Sequence, residues 1–125
     1  LLSELIALEE IQISPKKIDE IKIKEIDVQK LMSKGYIKEE NGFLYITEEG
    51  IKRLSELYGL LDTLQRIYID LSYGNKIKIT DFDVKEIEKL KNEGLIEIKN
   101  EDIVITFEGI KTVAQRIAEK MARGH

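Results

Sequence analysis

The chain has no cysteine and no tryptophan, a single proline (Pro15), and a single histidine, the last of its 125 residues. Without cysteine there are no disulfides, thiolate metal sites or cysteine nucleophiles. With histidine confined to position 125, the side chain most used for general acid–base chemistry is missing from the body of the sequence. No Gly-rich phosphate loop and no metal-ligand spacing is present. Apolar runs are too short to span a bilayer, and Leu1 and Leu2 lead straight into a helical pattern rather than a signal-peptide pattern. These absences lead us to expect a non-catalytic, cytoplasmic protein with no cofactor, no metal and no membrane association.

What is present is ample apolar and charged material, 42% and 35% of residues, and a net charge of −4. That composition folds. Isoleucine, lysine and glutamate dominate, a bias that resembles hyperthermophile proteins, although an AT-rich genome produces a similar one. The acidic balance does not suit a sequence-independent DNA binder, which needs clustered positive charge. Arg53, Arg66, Arg116 and Arg123 are dispersed along the chain.

Shifting the sequence by 59 positions superimposes it on itself without a gap. Leu31 falls on Leu90, Gly35 on Gly94, Ile37 on Ile96 and Asn41 on Asn100. Glu49-Gly50-Ile51-Lys52 falls on Glu108-Gly109-Ile110-Lys111. The expected organisation is therefore one repeat over residues 1–59, a second over 60–118, and a short tail over 119–125 whose terminal Gly124-His125 is read as a tag remnant.

Each repeat opens on helical spacing: Leu2, Leu5, Ile6 and Leu8, then Leu60, Leu61, Leu64, Ile67 and Leu71. In the first repeat, Ser14 and Pro15 predict the start of a short helix carrying Ile18 and Ile21, with Ile11-Gln12-Ile13 as an alternative strand. In the second, Lys76 to Ile79 alternates as a strand does. A short helix follows, with Val28, Leu31 and Met32 matched by Val84, Ile87 and Leu90. Asp83 and Glu86 have capping-box spacing. Gly35 and Gly94 end these helices, and Asn41-Gly42 is a strong hairpin signal. Thr47 and Thr106 are placed to cap a closing helix. The first closing helix, through Ile51, Leu54, Leu57 and Tyr58, runs across Gly59 into Leu60 and Leu61 and predicts a kinked or near-continuous connection. The tyrosines read as packing residues rather than a base-stacking platform, since Glu39, Glu40 and Asp70 are among their neighbours.

The "KGYI" and "EGLI" steps into a hairpin, followed by "ITEEGIKRL" and "ITFEGIKTV", resemble the winged helix-turn-helix superfamily, and in particular archaeal and bacterial winged-helix regulators. The resemblance implies an α+β fold of two tandem winged-helix-like units packed together, each with three or so helices and a hairpin wing. It also implies that residues 24–34 and 83–93 correspond to the helix that such regulators place in the major groove. The DNA-contacting candidates are then Gln29, Lys30, Ser33 and Lys34 in the first repeat and Lys85, Lys89 and Lys91 in the second. Acidic residues occupy the leading ends of both helices (Glu25, Asp27, Asp83, Glu86) and both wing tips (Glu39-Glu40, Glu101-Asp102). Between Ile79 and Asp83 there is little room for the helix that normally precedes the reading helix. The favoured expectation is a protein-interaction or assembly unit of a larger or multi-subunit protein, with an unidentified protein partner. A DNA-binding transcriptional regulator is the alternative.

Overall fold

The computed structural model describes residues 1–20 and 28–122. The fold is α+β, built from helices and small antiparallel sheets. The chain divides into two compact units, one over Leu1–Tyr58 and one from Gly59 onward.

The first unit begins with α1 (Leu2–Ile13), which buries Leu5, Ile6, Ala7, Leu8 and Ile11. The helix continues through Ile13, so Ile11-Gln12-Ile13 is not the alternative strand. Ser14 then turns extended, at φ −160° and ψ 147°, as expected of a residue before proline. Pro15 does not open a helix. Lys16–Lys17 forms a short strand β1, which pairs antiparallel with β3 through Lys16↔Leu44 and Lys17↔Phe43. A single 3₁₀ turn (Ile18–Glu20) follows, held by Glu20 Oε1 accepting from Lys17 N at 3.1 Å. Ile21, Glu25 and Asp27 lie outside the described residues. Next come α2 (Val28–Ser33), β2 (Ile37–Glu40) and β3 (Phe43–Ile46), giving a three-stranded sheet in the order β1-β3-β2.

Helix α3 (Glu48–Ser72) closes the first unit and opens the second without a break at Gly59. In the second unit the Lys76–Ile79 segment forms only an isolated bridge, Lys78↔Asp102. Ile77 O accepts from Ile103 N and Ile79 N donates to Glu101 O. The chain then leaves the sheet in a 3₁₀ turn, Ile79–Asp81, which Asp81 Oδ2 closes by accepting from the outward-facing Lys78 N at 3.0 Å. Helix α4 (Val84–Asn92), β4 (Ile96–Lys99), β5 (Asp102–Ile105) and α5 (Phe107–Ala122) complete the unit. Glu119 to Ala122, placed in the tail from sequence, are helical.

Asp83 caps α4 by accepting from Lys85 N and Glu86 N. Its expected capping-box partner Glu86 instead accepts from Thr63 Oγ1 at 3.0 Å. Val84, expected in the core, is exposed at the first helical position, whereas Ile87 and Leu90 are buried. Tyr73, expected to pack, is exposed just past the end of α3.

The buried positions recur at the 59-residue offset. Leu5, Leu8, Leu31, Ile37, Leu44 and Leu54 in the first unit correspond to Leu64, Ile67, Leu90, Ile96, Ile103 and Val113 in the second. Backbone geometry recurs with them. Gly35 and Gly94 are left-handed at φ 80° and 75°, the conformation for which glycine carries no Cβ penalty. The following N–H reaches back to the helix in both, Tyr36 N to Leu31 O and Leu95 N to Leu90 O. The strand registers match as well, Ile37↔Ile46 and Ile96↔Ile105.

Gly50 and Gly109 lie in the first turn of the closing helices, flat against the preceding chain. A Cβ there would run into the carbonyl oxygen of Tyr36 or Leu95 and lie 2.7 Å from Cγ1 of Ile46 or Ile105. Backbone cannot move aside cheaply, so Gly50→Ala and Gly109→Ala should each cost about 3 kcal/mol in urea unfolding. The hairpin turns give a contrasting expectation. Asn41-Gly42 has φ 52° and 83°, and Asn100-Glu101 has φ 50° and 74°. Glutamate is a poor occupant of that region. Glu101→Gly should raise stability by about 0.5–1 kcal/mol, and Gly42→Glu should lower it by at least as much.

Candidate functional site

Among the described residues, no cluster of His, Asp or Glu is arranged to hold a metal ion. No described helix is long and apolar enough to cross a membrane. The candidate surfaces are therefore the helices before the hairpins, the hairpin tips and the closing helices.

In the first unit, Gln29, Lys30, Ser33 and Lys34 are all exposed. Helical spacing sets the first three on one side of α2, opposite buried Leu31, and Lys34 follows directly after the helix. Ser33 Oγ donates to Lys30 O at 2.8 Å, which occupies its hydrogen. In the second unit, Lys85 and Lys89 stand one turn apart on α4 and share a line. Lys91 projects from a different side of the helix. The three lysines are exposed, and exposed Glu88 stands between the Lys85–Lys89 line and Lys91. The hairpin tip of the first unit carries an exposed ion pair, Lys38 Nζ to Glu40 Oε1 at 3.5 Å. Among the described residues, neither unit presents a continuous basic face on its helix and hairpin.

Two ion pairs anchor partly or fully buried arginines. In the first unit, Arg53 on α3 makes a two-pronged contact with Glu4 on α1, at 2.8 and 3.0 Å. The Glu4 hydrogen bonds raise the Arg53 pKa above its ordinary value, against the opposing effect of burial. Tyr58 Oη donates to Glu9 along the same helix pair. In the second unit, Arg116 of α5 is only 5% exposed. Its NH1 lies 2.7 Å from Asp62 Oδ1, yet no N–H of that nitrogen is aimed along the contact, so the pairing is electrostatic rather than a formed hydrogen bond. Asp62, Gln65, Arg66, Ile69 and Lys120 line an open depression of about 300 Å³ beside it. The Arg66 guanidinium stacks over the Phe82 ring at 4.7 Å.

The closing helices differ in their outward faces. Helix α5 buries Gly109, Val113 and Arg116. About a quarter-turn around, Phe107, Ile110, Ala114, Ile117 and Met121 are all exposed and form a second apolar stripe. At the 59-residue offset the first closing helix carries Glu48, Ile51, Ser55 and Tyr58. There Glu48, Ile51 and Ser55 are exposed, and Tyr58 is half-buried against Glu9. The α5 stripe was not among the sites expected from sequence, although Phe107 and Ala114 in place of Glu48 and Ser55 carry the signal.

Comparison with known proteins gives no match: no family model matches the chain, and no curated protein or solved structure is detectably similar to it.

The counterpart of buried Arg116 in the first repeat is the core residue Leu57. Arg116→Leu should therefore change unfolding free energy by less than about 1 kcal/mol, because the well-packed apolar replacement also removes the desolvation cost. Asp62→Ala, which removes the counter-charge of the buried guanidinium, should cost about 1–2 kcal/mol, less than breaking a fully buried pair because the Asp62 carboxylate is 67% exposed and water screens it. The double variant should recover most of that loss in the same urea titration.

Proposed function

We propose that this chain is a non-catalytic tandem winged-helix module whose role is protein interaction or assembly. The order helix, short extended segment, helix, hairpin and helix in each unit supports the winged-helix reading. The lack of cysteine, and of histidine before the terminal residue, supports a non-catalytic role. The observation that carries the interaction reading is the contrast between the two closing helices. In one repeat Glu48 and Ser55 interrupt the outer face with polar groups, where the other exposes five apolar residues in a line. Single exposed apolar residues are ordinary on a protein surface, but a contiguous stripe marks a contact surface.

The alternative is DNA binding, favoured by Lys85 and Lys89 on one line of α4 and by the polar side of α2. Glu86 and Glu88 interleave with those lysines, and Glu39, Glu40 and Glu101 sit at the hairpin tips. Each carboxylate near a phosphate opposes binding and releases no counterion.

Duplex titration at low and physiological salt separates the two readings, with the Lys30→Glu/Lys34→Glu and Lys85→Glu/Lys89→Glu pairs as controls. On the interaction reading, any binding is weak, disappears at physiological salt and shows no sequence preference. Nanomolar affinity at physiological salt that either pair abolishes would establish the regulator in its place.

A further inference from the structure

We infer that the exposed stripe of α5 is a self-association surface, covered by the same stripe of a second copy of this chain. The inference rests on the interaction-module reading and names its partner. Phe107, Ile110, Ala114, Ile117 and Met121 follow the alternating three- and four-residue spacing that keeps side chains in one seam along a helix. The fold does not need this seam. The inward face of α5 is already supplied by Gly109, Val113 and Arg116, and the first repeat has the same closing helix with Glu48 and Ser55 at two of the matching positions.

Three features select a second copy as the occupant. The first is size. The stripe reads bulky, bulky, small, bulky, bulky about Ala114, so it is nearly its own reverse. A two-fold interface sets the residue on its axis against itself. Alanine there lets two helix backbones approach closely, while Ile110 meets the Ile117 region of the other copy and Phe107 meets Met121.

The second is charge. Lys111, Ala118 and Ala122 border one side of the seam. An antiparallel two-fold through Ala114 brings Lys111 over Ala118 of the other copy, a lysine stem over a methyl group with its ammonium in water. No like charges are brought together along that border.

The third is area. Phe107 is 78% exposed, Met121 74%, Ile110 41% and Ile117 38%. At about 200 Å² for a fully exposed side chain of this size, the four present on the order of 400 Å² per copy. Two stripes and their borders then reach about 1,000 Å², the lower end of what a specific interface requires. The expected dimer is therefore weak, with a micromolar dissociation constant.

Sedimentation velocity on the full chain, from low micromolar to submillimolar concentration, tests this. The expected result is a concentration-dependent shift from monomer to dimer. Ile110→Glu with Ile117→Glu should abolish the shift and leave the circular-dichroism spectrum unchanged. A second measurement does not depend on how that variant folds. Because the chain has no cysteine, Ala114→Cys introduces one thiol at the inferred axis, close enough to its copy for a disulfide. Mild oxidation should yield a covalent dimer with Ala114→Cys, and little with Ser55→Cys at the matching exposed position of the first repeat. A chain that stays monomeric throughout, or an Ala114→Cys variant that cross-links no better than Ser55→Cys, overturns the inference. If the duplex titration is also negative, the interaction-module reading survives that failure. If the duplex binds tightly, both fall.

Discussion

A threonine hydroxyl that serves two backbone groups at once holds each unit together. Thr47 Oγ1 donates to Gly35 O at 2.5 Å and accepts from Gly50 N at 3.0 Å. Thr106 Oγ1 does the same with Gly94 O at 2.7 Å and Gly109 N at 3.0 Å. The left-handed glycine presents its carbonyl at the foot of the hairpin, and the threonine at the far foot bonds to it while capping the closing helix. The backbone adds a second tie, Thr47 N to Tyr36 O and Thr106 N to Leu95 O. The hairpin register, the start of the closing helix and its rotation about its own axis are thereby fixed together. Rotation decides which residues face outward. With Gly109 pressed on the Leu95 carbonyl, Val113 and Arg116 must point inward, and Phe107, Ile110 and Ile117 must point away.

This clamp was legible in the sequence because each of its parts is local or repeats. Gly35, Asn41-Gly42 and Thr47 signal their conformations through their own chemistry, and the 59-residue offset supplies most of these signals twice. In the misread segments another group overrides the local preference. Ser14-Pro15 has the composition of a helix start, but β3, far along the chain, offers pairing to Lys16 and Lys17. Asp83 and Glu86 have the spacing of a reciprocal cap, but Thr63 on α3 takes the glutamate. Lys76 to Ile79 alternates like a strand, but the chain turns into a 3₁₀ helix at Ile79, closed by Asp81 on the Lys78 N–H, and the pairing is limited to one bridge. Propensity alone cannot anticipate the first two, because the competing group lies outside the window being read, and in the third a turn just downstream cuts the alternation short.

The candidate surface was written in the sequence in a different way, as a mismatch between repeats. Positions that agree across the offset, such as Leu31 and Leu90 or Gly50 and Gly109, carry the fold. Positions that disagree are freed from that duty, and their physical character reports on something else. Leu57 becomes Arg116, which is tolerable because Asp62 supplies a counter-charge within reach. Gly42 becomes Glu101, at the cost of a strained turn residue. Glu48 and Ser55 become Phe107 and Ala114 on a face that both helices leave in water.

That last exchange runs against the chemistry of a free surface. Putting phenylalanine and alanine where a carboxylate and a hydroxyl could stand gives up favourable hydration and gains no internal contact, because the side chains remain outside the core of their own unit. The phenylalanine carries most of this cost, and the alanine removes the one polar group that would otherwise divide the stripe at its middle. A change of this kind lowers solubility unless something covers the face. The acidic residues kept beside the lysines of α4 fit the same account, since they leave that surface mixed in charge and without a strong field for phosphate. The two repeats share one scaffold, and the exposed apolar stripe is confined to the closing helix of the second. The threonine clamp, by holding that helix in a fixed rotation, allows five apolar side chains to act as one continuous surface.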